Sequence, residues 1–248
     1  MRVQSLRRSR RQWLAWLAMT IVSLPMAGVA ADSAAAPARV STFIEVRTDG
    51  VERAERLLRA YAEALHAGDP AARIALLQET DRRERFVLLE SAADSQRLLT
   101  LEMQEQPRLD SLSALLAAPL DRRTHRDFGP ASAAGPSAEH GGSSKQPLYV
   151  VAHVDIAGPV SAGPQAALER VATAARGAAG NIDFEVWQQS NRGNHFNMIA
   201  EWNARPDFER FASSEAAREF RASVAPVLGS LYDERLYRSL CCAPAAAR

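Results

Sequence analysis

The stretch "HFNMIAEWNARPDFERF", residues 195–211, reads as a strand that ends on Trp202, then, after a turn, as a helix carrying Phe208 and Phe211. Only 6% of the chain is aromatic, so three rings this close together either fill a core or wall a pocket for a flat molecule. Tryptophan suits the second task, because its ring is a large, rigid stacking surface. Two histidines, His153 and His195, lie on strand-like segments of the same half of the chain. Imidazole exchanges protons near neutral pH, although a lone histidine on a half-buried strand is more often a hydrogen-bonded structural residue. His66, His125 and His140 fall at a helix end, in a closing strand and in a linker, with no spacing that suggests a metal site. No Gly-rich phosphate loop, GxSxG elbow or dinucleotide fingerprint occurs.

The elements that must position these residues are spread over 248 residues, enough for one large domain or two small ones. Lys+Arg 30 against Asp+Glu 29 gives no reason to expect a nucleic-acid partner. Much of the basic charge sits at the start, where residues 2–11 precede an apolar run over 13–24 and the small-residue stretch "AGVAADSAAAP". This is a targeting signal, expected to span 1–31, and "SRRQWL" at 9–14 resembles the twin-arginine export signal with Trp13 in the usual Phe place. The expected compartment is the periplasm. Cys241 and Cys242, the only cysteines, are adjacent and cannot staple distant segments; they are read as part of a tail over 241–248.

A Gly/Pro/Ser/Ala-rich linker over 129–147 divides the mature chain into units at 40–128 and 148–240. In the second, "LYVVAHVDI" is a strand, Leu168, Val171, Ala172 and Ala175 line one helix face, "IDFEVWQQ" and "HFNMIAEW" form a hairpin through "NRGN", a helical stretch runs from Pro206 to about Leu228, and "DERLYRSL" closes the unit. The order β-α-β-β-α-β is the ferredoxin-like split arrangement. The first unit repeats it, with "STFIEVRT", a helix through Ala54, Leu58 and Leu65, a hairpin of "RIALLQE" and "RFVLLES", helix over 107–117, and "DRRTHRDF". Superposing "RFVLLES" on "FNMIAEW" sets Glu90 against Glu201 and Ser91 against Trp202. Each unit leaves one sheet face bare, at a cost of roughly 25 cal/mol per Å² of apolar surface. The expected fold is therefore α+β, two ferredoxin-like units packed sheet to sheet as an intrachain dimeric α/β-barrel.

The second unit resembles the antibiotic biosynthesis monooxygenase family through "VVAHV", "NMIAEW" with its Glu201–Trp202 pair, the helix "DFERFASSEAAREF" and "LYDERLYRSL". The first is similar more weakly, through "FIEV" and "RFVLLES". The resemblance implies a dimeric barrel and cofactor-independent oxidation of an electron-rich aromatic, such as a quinol or anthrone, by O2. It implies Trp202 as the stacking wall, Met198, Phe208, Phe211 and Asn197 as substrate-binding residues, and no cofactor or metal. Two family positions differ: the strand Asn four residues before the Trp is Met198 here, with Asn197 turned to the other face by alternation, and the helix His nine residues after it is Phe211. His153 or His195 is the base that remains for a phenolic proton. The leading expectation is a quinol monooxygenase whose partners are a small aromatic substrate and O2, with an intrachain pseudo-dimer that could assemble further. The alternative is a non-catalytic periplasmic binding or sensing module for a hydrophobic molecule, and a third is a scaffold, which a filled space behind Trp202 would favour.

Overall fold

Two periodicities build the molecule, period 2 in its strands and 3.6 in its helices, and between them they sort the apolar side chains into three cores. The computed structural model describes residues 38–129 and 147–242. The expected export signal at 1–31, residues 130–146 of the linker and residues 243–248 of the tail lie outside the described residues. The first unit comprises β1 (Ala38–Glu45), α1 (Val51–Gly68), β2 (Arg73–Glu79), β3 (Arg85–Ala92), α2 (Ser95–Asp110) and β4 (Asp121–Asp127). The second comprises β5 (Leu148–Asp155), α3 (Ala162–Arg176), β6 (Asn181–Gln189), β7 (His195–Trp202), α4 (Arg205–Ala212), α5 (Glu215–Val224) and β8 (Asp233–Cys241).

The strands close into one barrel in the order β1-β3-β2-β8-β5-β7-β6-β4, every pairing antiparallel. Each unit donates its last strand to the other: β4 bonds to β6, and β8 bonds to β2. Closure leaves no unpaired sheet edge, so the chain is its own partner. Alternation then gives each strand two destinations. One set of side chains meets the helices of its own unit, as Ile44, Leu58, Ile74 and Leu88 do in the first and Val154, Leu168, Val186 and Phe196 in the second. The other set fills the barrel, where Leu77, Val87, Val151, Trp187, Ile199 and Tyr237 form the core shared by both units. Burying each such side chain contributes about 1.5–3 kcal/mol.

Three local features differ from the sequence reading. The second helix of the first unit begins at Ser95, well before Pro107, because Asp94 caps it by accepting hydrogen bonds from the N–H groups of Gln96 and Arg97; Pro107, which reads as a helix start, lies near its end. The long helix of the second unit is broken into α4 and α5 at Ser213 and Ser214, where Ser214 caps α5 through the N–H of Ala217. Cys241 belongs to β8 and not to a tail, and it is disulfide-linked to Cys242, both packing against the first unit's core.

A fourth difference concerns register. Val40 pairs with Glu90 as Val150 pairs with Ala200, and Ala38 pairs with Ala92 as Leu148 pairs with Trp202. Glu90 is thus the counterpart of Ala200, and Ser91 that of Glu201. Matching the two acids slips the strand by one residue, and such a slip exchanges its faces. Glu90 points toward the helices of the first unit, whereas Glu201 points into the barrel and meets Arg73 at 3.2 Å.

Candidate functional site

The side of the second sheet that carries Val150, Met198, Ala200 and Trp202 is roofed by α3, α4 and α5, and a cavity remains between sheet and roof. Trp202 sits there because β7 ends on it: the next N–H, of Asn203, bonds to the carbonyl of Gly180, and Pro206 opens α4 almost at once. Gly180 has φ +85°, and a Cβ on it would lie 2.3 Å from Cγ of Asp207, so only glycine lets the chain pass under the start of α4. The α4 helix then lays Phe208 and Phe211 against the indole, with ring centroids 6.2 and 5.2 Å away. Phe184, Phe220 and Tyr232 extend the aromatic lining.

Trp202 is 1% exposed, and its Nε1–H has no hydrogen-bond partner among the described residues. A buried N–H left unpaired costs about 1–3 kcal/mol. At the rim, Arg221, Tyr232 and Glu234 supply the polar groups, and the Tyr232 hydroxyl donates to Oε2 of Glu234 at 2.9 Å. Burial pushes the Tyr232 phenol well above its ordinary range, and Glu234 adds to the effect, so the phenol stays protonated and acts as a donor. The space is narrow, about 30 Å³ for the centre of a water-sized sphere, which is room for one or two waters. As it stands the space does not admit a ring, and binding one requires its lining to part.

Of the residues chosen from the sequence, Trp202, Met198, Phe208 and Phe211 line this cavity together. His153, His195 and Asn197 do not, because odd-numbered positions of β5 and β7 face the barrel. Asn197 is 2% exposed and donates to Oγ of Ser41 at 3.2 Å, close to Nε2 of His125. The Nδ1 of His153 lies 3.4 Å from a guanidinium nitrogen of Arg123, and its ring packs on Phe43. Burial, reinforced by Arg123, pushes its pKa down to about 4, so it is neutral at physiological pH. Nε2 of His195 is 3.3 Å from Asp155. Both histidines border an open polar cleft, together with Arg123, Asp155, Asp233 and Arg235, and Tyr232 lines both this cleft and the cavity at Trp202. Neither histidine lines the cavity itself. Glu234, missed in the sequence, is a carboxylate that does border the cavity; alternation backward along β8 from the buried Leu240 through the half-buried Leu236 reaches it.

The buried barrel histidine yields a test. His125 is 5% exposed, bonded through Nε2 to Ser41, and burial, with help from Arg123, lowers its pKa from 6.5 to about 4. The native state therefore holds it neutral while the unfolded chain takes up a proton, so the stability it contributes is present above pH 6.5 and is lost as pH falls toward 4. Differential scanning calorimetry of His125→Gln against the wild type across that window is expected to show a shallower acid decline, by on the order of 2–3 kcal/mol. Parallel curves would show that His125 is not the titrating group.

Among the described residues, no cluster of His, Cys, Asp or Glu could hold a metal ion, and no helix is long and apolar enough to cross a membrane. What the site offers is an apolar slot with one free buried donor and a rim carboxylate, on the unit whose sequence can be compared with known families. Residues 147–223 match the antibiotic biosynthesis monooxygenase family. The match thus takes in β5 to α5, which supply most of the cavity's lining, and ends before Tyr232 and Glu234 at its rim. None of the curated proteins matches the chain by sequence. Among solved structures, one from Fusobacterium nucleatum and one from Lactobacillus acidophilus, each named "putative monooxygenase", superpose with TM-scores of 0.69 and 0.63 at 7% and 8% identity. They cover 86% of this chain in both cases, and 97% and 98% of their own. A third, named an anthrone oxidase-like protein, superposes with a TM-score of 0.60 at 11% identity, covering 85% of this chain and 94% of that one. At such identities the likeness establishes the shared fold.

Proposed function

We propose that the protein oxidises a quinol- or anthrone-type ring with O2 in the cavity of the second unit, using no cofactor. The observation that carries this reading is the unpartnered Nε1–H of Trp202 inside an aromatic slot. It is a buried donor for which the described residues provide no acceptor, walled by Phe184, Phe208, Phe211 and Phe220, so the ligand that suits it is an aromatic bearing oxygen. The monooxygenase match over the same elements supports the reaction class. For an anthrone, Glu234 takes the acidic ring proton, the Trp202 N–H stabilises the oxyanion that forms, the ring carbon of that anion bonds to O2, and the proton held by Glu234 returns to the peroxide. Collapse of the resulting hydroperoxide yields the quinone and one water, which balances one O2 consumed.

The narrowness of the cavity speaks for the scaffold, whereas the absence of any histidine from it favours a second reading: a binding module for the same ligand class that performs no turnover. Oxygen uptake on a panel of anthrones and quinols separates the two. An enzyme is expected to show catalysed uptake that drops 10²-fold or more in Glu234→Gln, as loss of a general base does, with binding little changed. Tryptophan quenching by the ligands without uptake above buffer would leave the binding module. Export is part of the proposal and rests on the arginine-led segment at 1–31; recovery of the native protein in the periplasmic fraction is the expected result.

A further inference from the structure

The strands that floor the cavity continue past it. On β5 and β7 the helix-facing residues pair in rungs: Leu148 with Trp202, Val150 with Ala200, Ala152 with Met198, and Val154 with Phe196. The two middle rungs and Trp202 line the cavity, whereas the last rung, Val154 and Phe196, lines the open polar cleft. Neighbouring rungs lie two residues, or roughly 7 Å, apart. Cavity and cleft are therefore successive spaces over one sheet, and Tyr232 is the residue that lines both. They differ in size: the cavity has about 30 Å³ for the centre of a water-sized sphere and the cleft about 620 Å³.

Tyr232 sits on a short stretch outside the regular elements. Residues 230–232 belong to no helix or strand; they follow Gly229, whose N–H donates to the carbonyl of Asp155 at 2.8 Å, and precede Asp233, which opens β8 opposite His153. The ring is held by an edge contact with Phe220, at 6.2 Å between centroids, and by the hydroxyl's bond to Glu234. A hydrogen bond to a carboxylate contributes about 1.5–3 kcal/mol, an amount that a ligand's own contacts can replace. Swinging Tyr232 aside vacates a space the size of one aromatic ring between the cavity and the cleft. It also releases the rim carboxylate.

We propose that the ligand spans both spaces, its ring beside Trp202 where Tyr232 gives way and an uncharged, hydroxylated substituent in the cleft. This rests on the proposed oxygenase site and adds which rings that site selects. The cleft sets Arg123 and Arg235 against Asp155 and Asp233, with His153 and His195 beside them, so donors and acceptors are both present and the arginine and aspartate charges cancel. Hydroxyl groups, which donate and accept, match such a surface. An alkyl tail strips water from the same groups and returns no hydrogen bond, at a cost of about 1–3 kcal/mol for each group left unpaired. Tyr232 is then the gate between the two spaces, and its opening frees Glu234 to receive the ring proton.

The test uses the full chain and three naphthols that share a ring: 2-naphthol, 6-(2,3-dihydroxypropoxy)-2-naphthol and 6-propoxy-2-naphthol, the last having the same chain length without its hydroxyls. Isothermal titration calorimetry is expected to show the diol binding about fivefold or more tighter than the propoxy compound, the value of one net hydrogen bond. Ser230→Phe, which fills the cleft, should remove that preference and leave 2-naphthol within about twofold, as for sites that share no partner. In stopped-flow fluorescence, Tyr232→Phe lacks the bond that holds the gate to Glu234 and should speed association of all three about tenfold; a merely structural tyrosine leaves the rate unchanged. Equal affinities for diol and propoxy compound, with 2-naphthol weakened by Trp202→Phe, overturn the cleft subsite and leave the cavity reading standing. Diol binding that is lost in Ser230→Phe and indifferent to Trp202→Phe overturns the spanning ligand and makes the cleft a site of its own. Failure of 2-naphthol to bind sinks the cavity reading and this inference with it.

Discussion

Trp202→Ala is expected to destabilise the protein by about 3–5 kcal/mol, the usual cost of truncating a buried tryptophan, and to abolish ring binding in the second unit. The two effects have different origins, and a milder variant separates them. Trp202→Phe keeps a ring against Phe208 and Phe211 but deletes an N–H that has no partner among the described residues. Deleting an unsatisfied donor removes a penalty of about 1–3 kcal/mol, which offsets much of the lost packing. Urea denaturation should therefore show Trp202→Phe within about 1–2 kcal/mol of the wild type. Binding should behave otherwise. If the indole donates to the ligand's oxygen, Trp202→Phe weakens 1-naphthol about tenfold, the value of one net hydrogen bond, and leaves naphthalene unchanged. Equal losses for both probes would mean that the indole acts only as a wall, and a variant as destabilised as Trp202→Ala would mean that it is only core. Those outcomes would move the protein toward the scaffold reading.

How much of this was legible before the structure depends on what sets each feature. The period-2 pattern of "HFNMIAEW" is local, and it correctly grouped Met198 and Trp202 on one face, with Asn197 on the other. The i, i+3 spacing of Phe208 and Phe211 brought both to the same roof. The histidines differ in this respect: His195 lies seven residues before Trp202 on the same strand, so alternation puts it on the other face, whereas the face of His153 on β5 follows only from the pairing of Leu148 with Trp202. The slip between the two units has a different cause. Matching Glu90 to Glu201 maximises residue likeness, but register is fixed by pairing with neighbouring strands. No one strand carries that information.

The same barrel makes one arginine decisive for the union of the two units. Arg73 on β2 is the cation that meets three carboxylates of the other unit: Asp183, Glu185 at 3.6 Å and Glu201 at 3.2 Å. Its side chain is 22% exposed and that of Glu201 only 5%, so water screens the cluster poorly. Arg73→Ala leaves three acids facing one another at the rim of the shared core, and breaking a buried pair in this way costs about 3–5 kcal/mol. The pH dependence identifies the mechanism. Burial already raises the pKa of Glu185 and Glu201 despite the neighbouring guanidinium, so without Arg73 they take up protons at still higher pH. Protonation relieves the repulsion, and the deficit should be full at pH 7 and shrink to less than half as the pH falls to about 4.5. Replacing the acids tells the same story from the other side: Glu201→Gln in the Arg73→Ala background should recover about 1–2 kcal/mol at pH 7 and little at pH 4.5. Urea denaturation of the single and double variants at the two pH values measures all of this. A deficit that does not change with pH would assign the cost to lost packing of the arginine stem. A deficit that tracks the carboxylates would mean that the two halves of the barrel are held together at this end by one charge set against three.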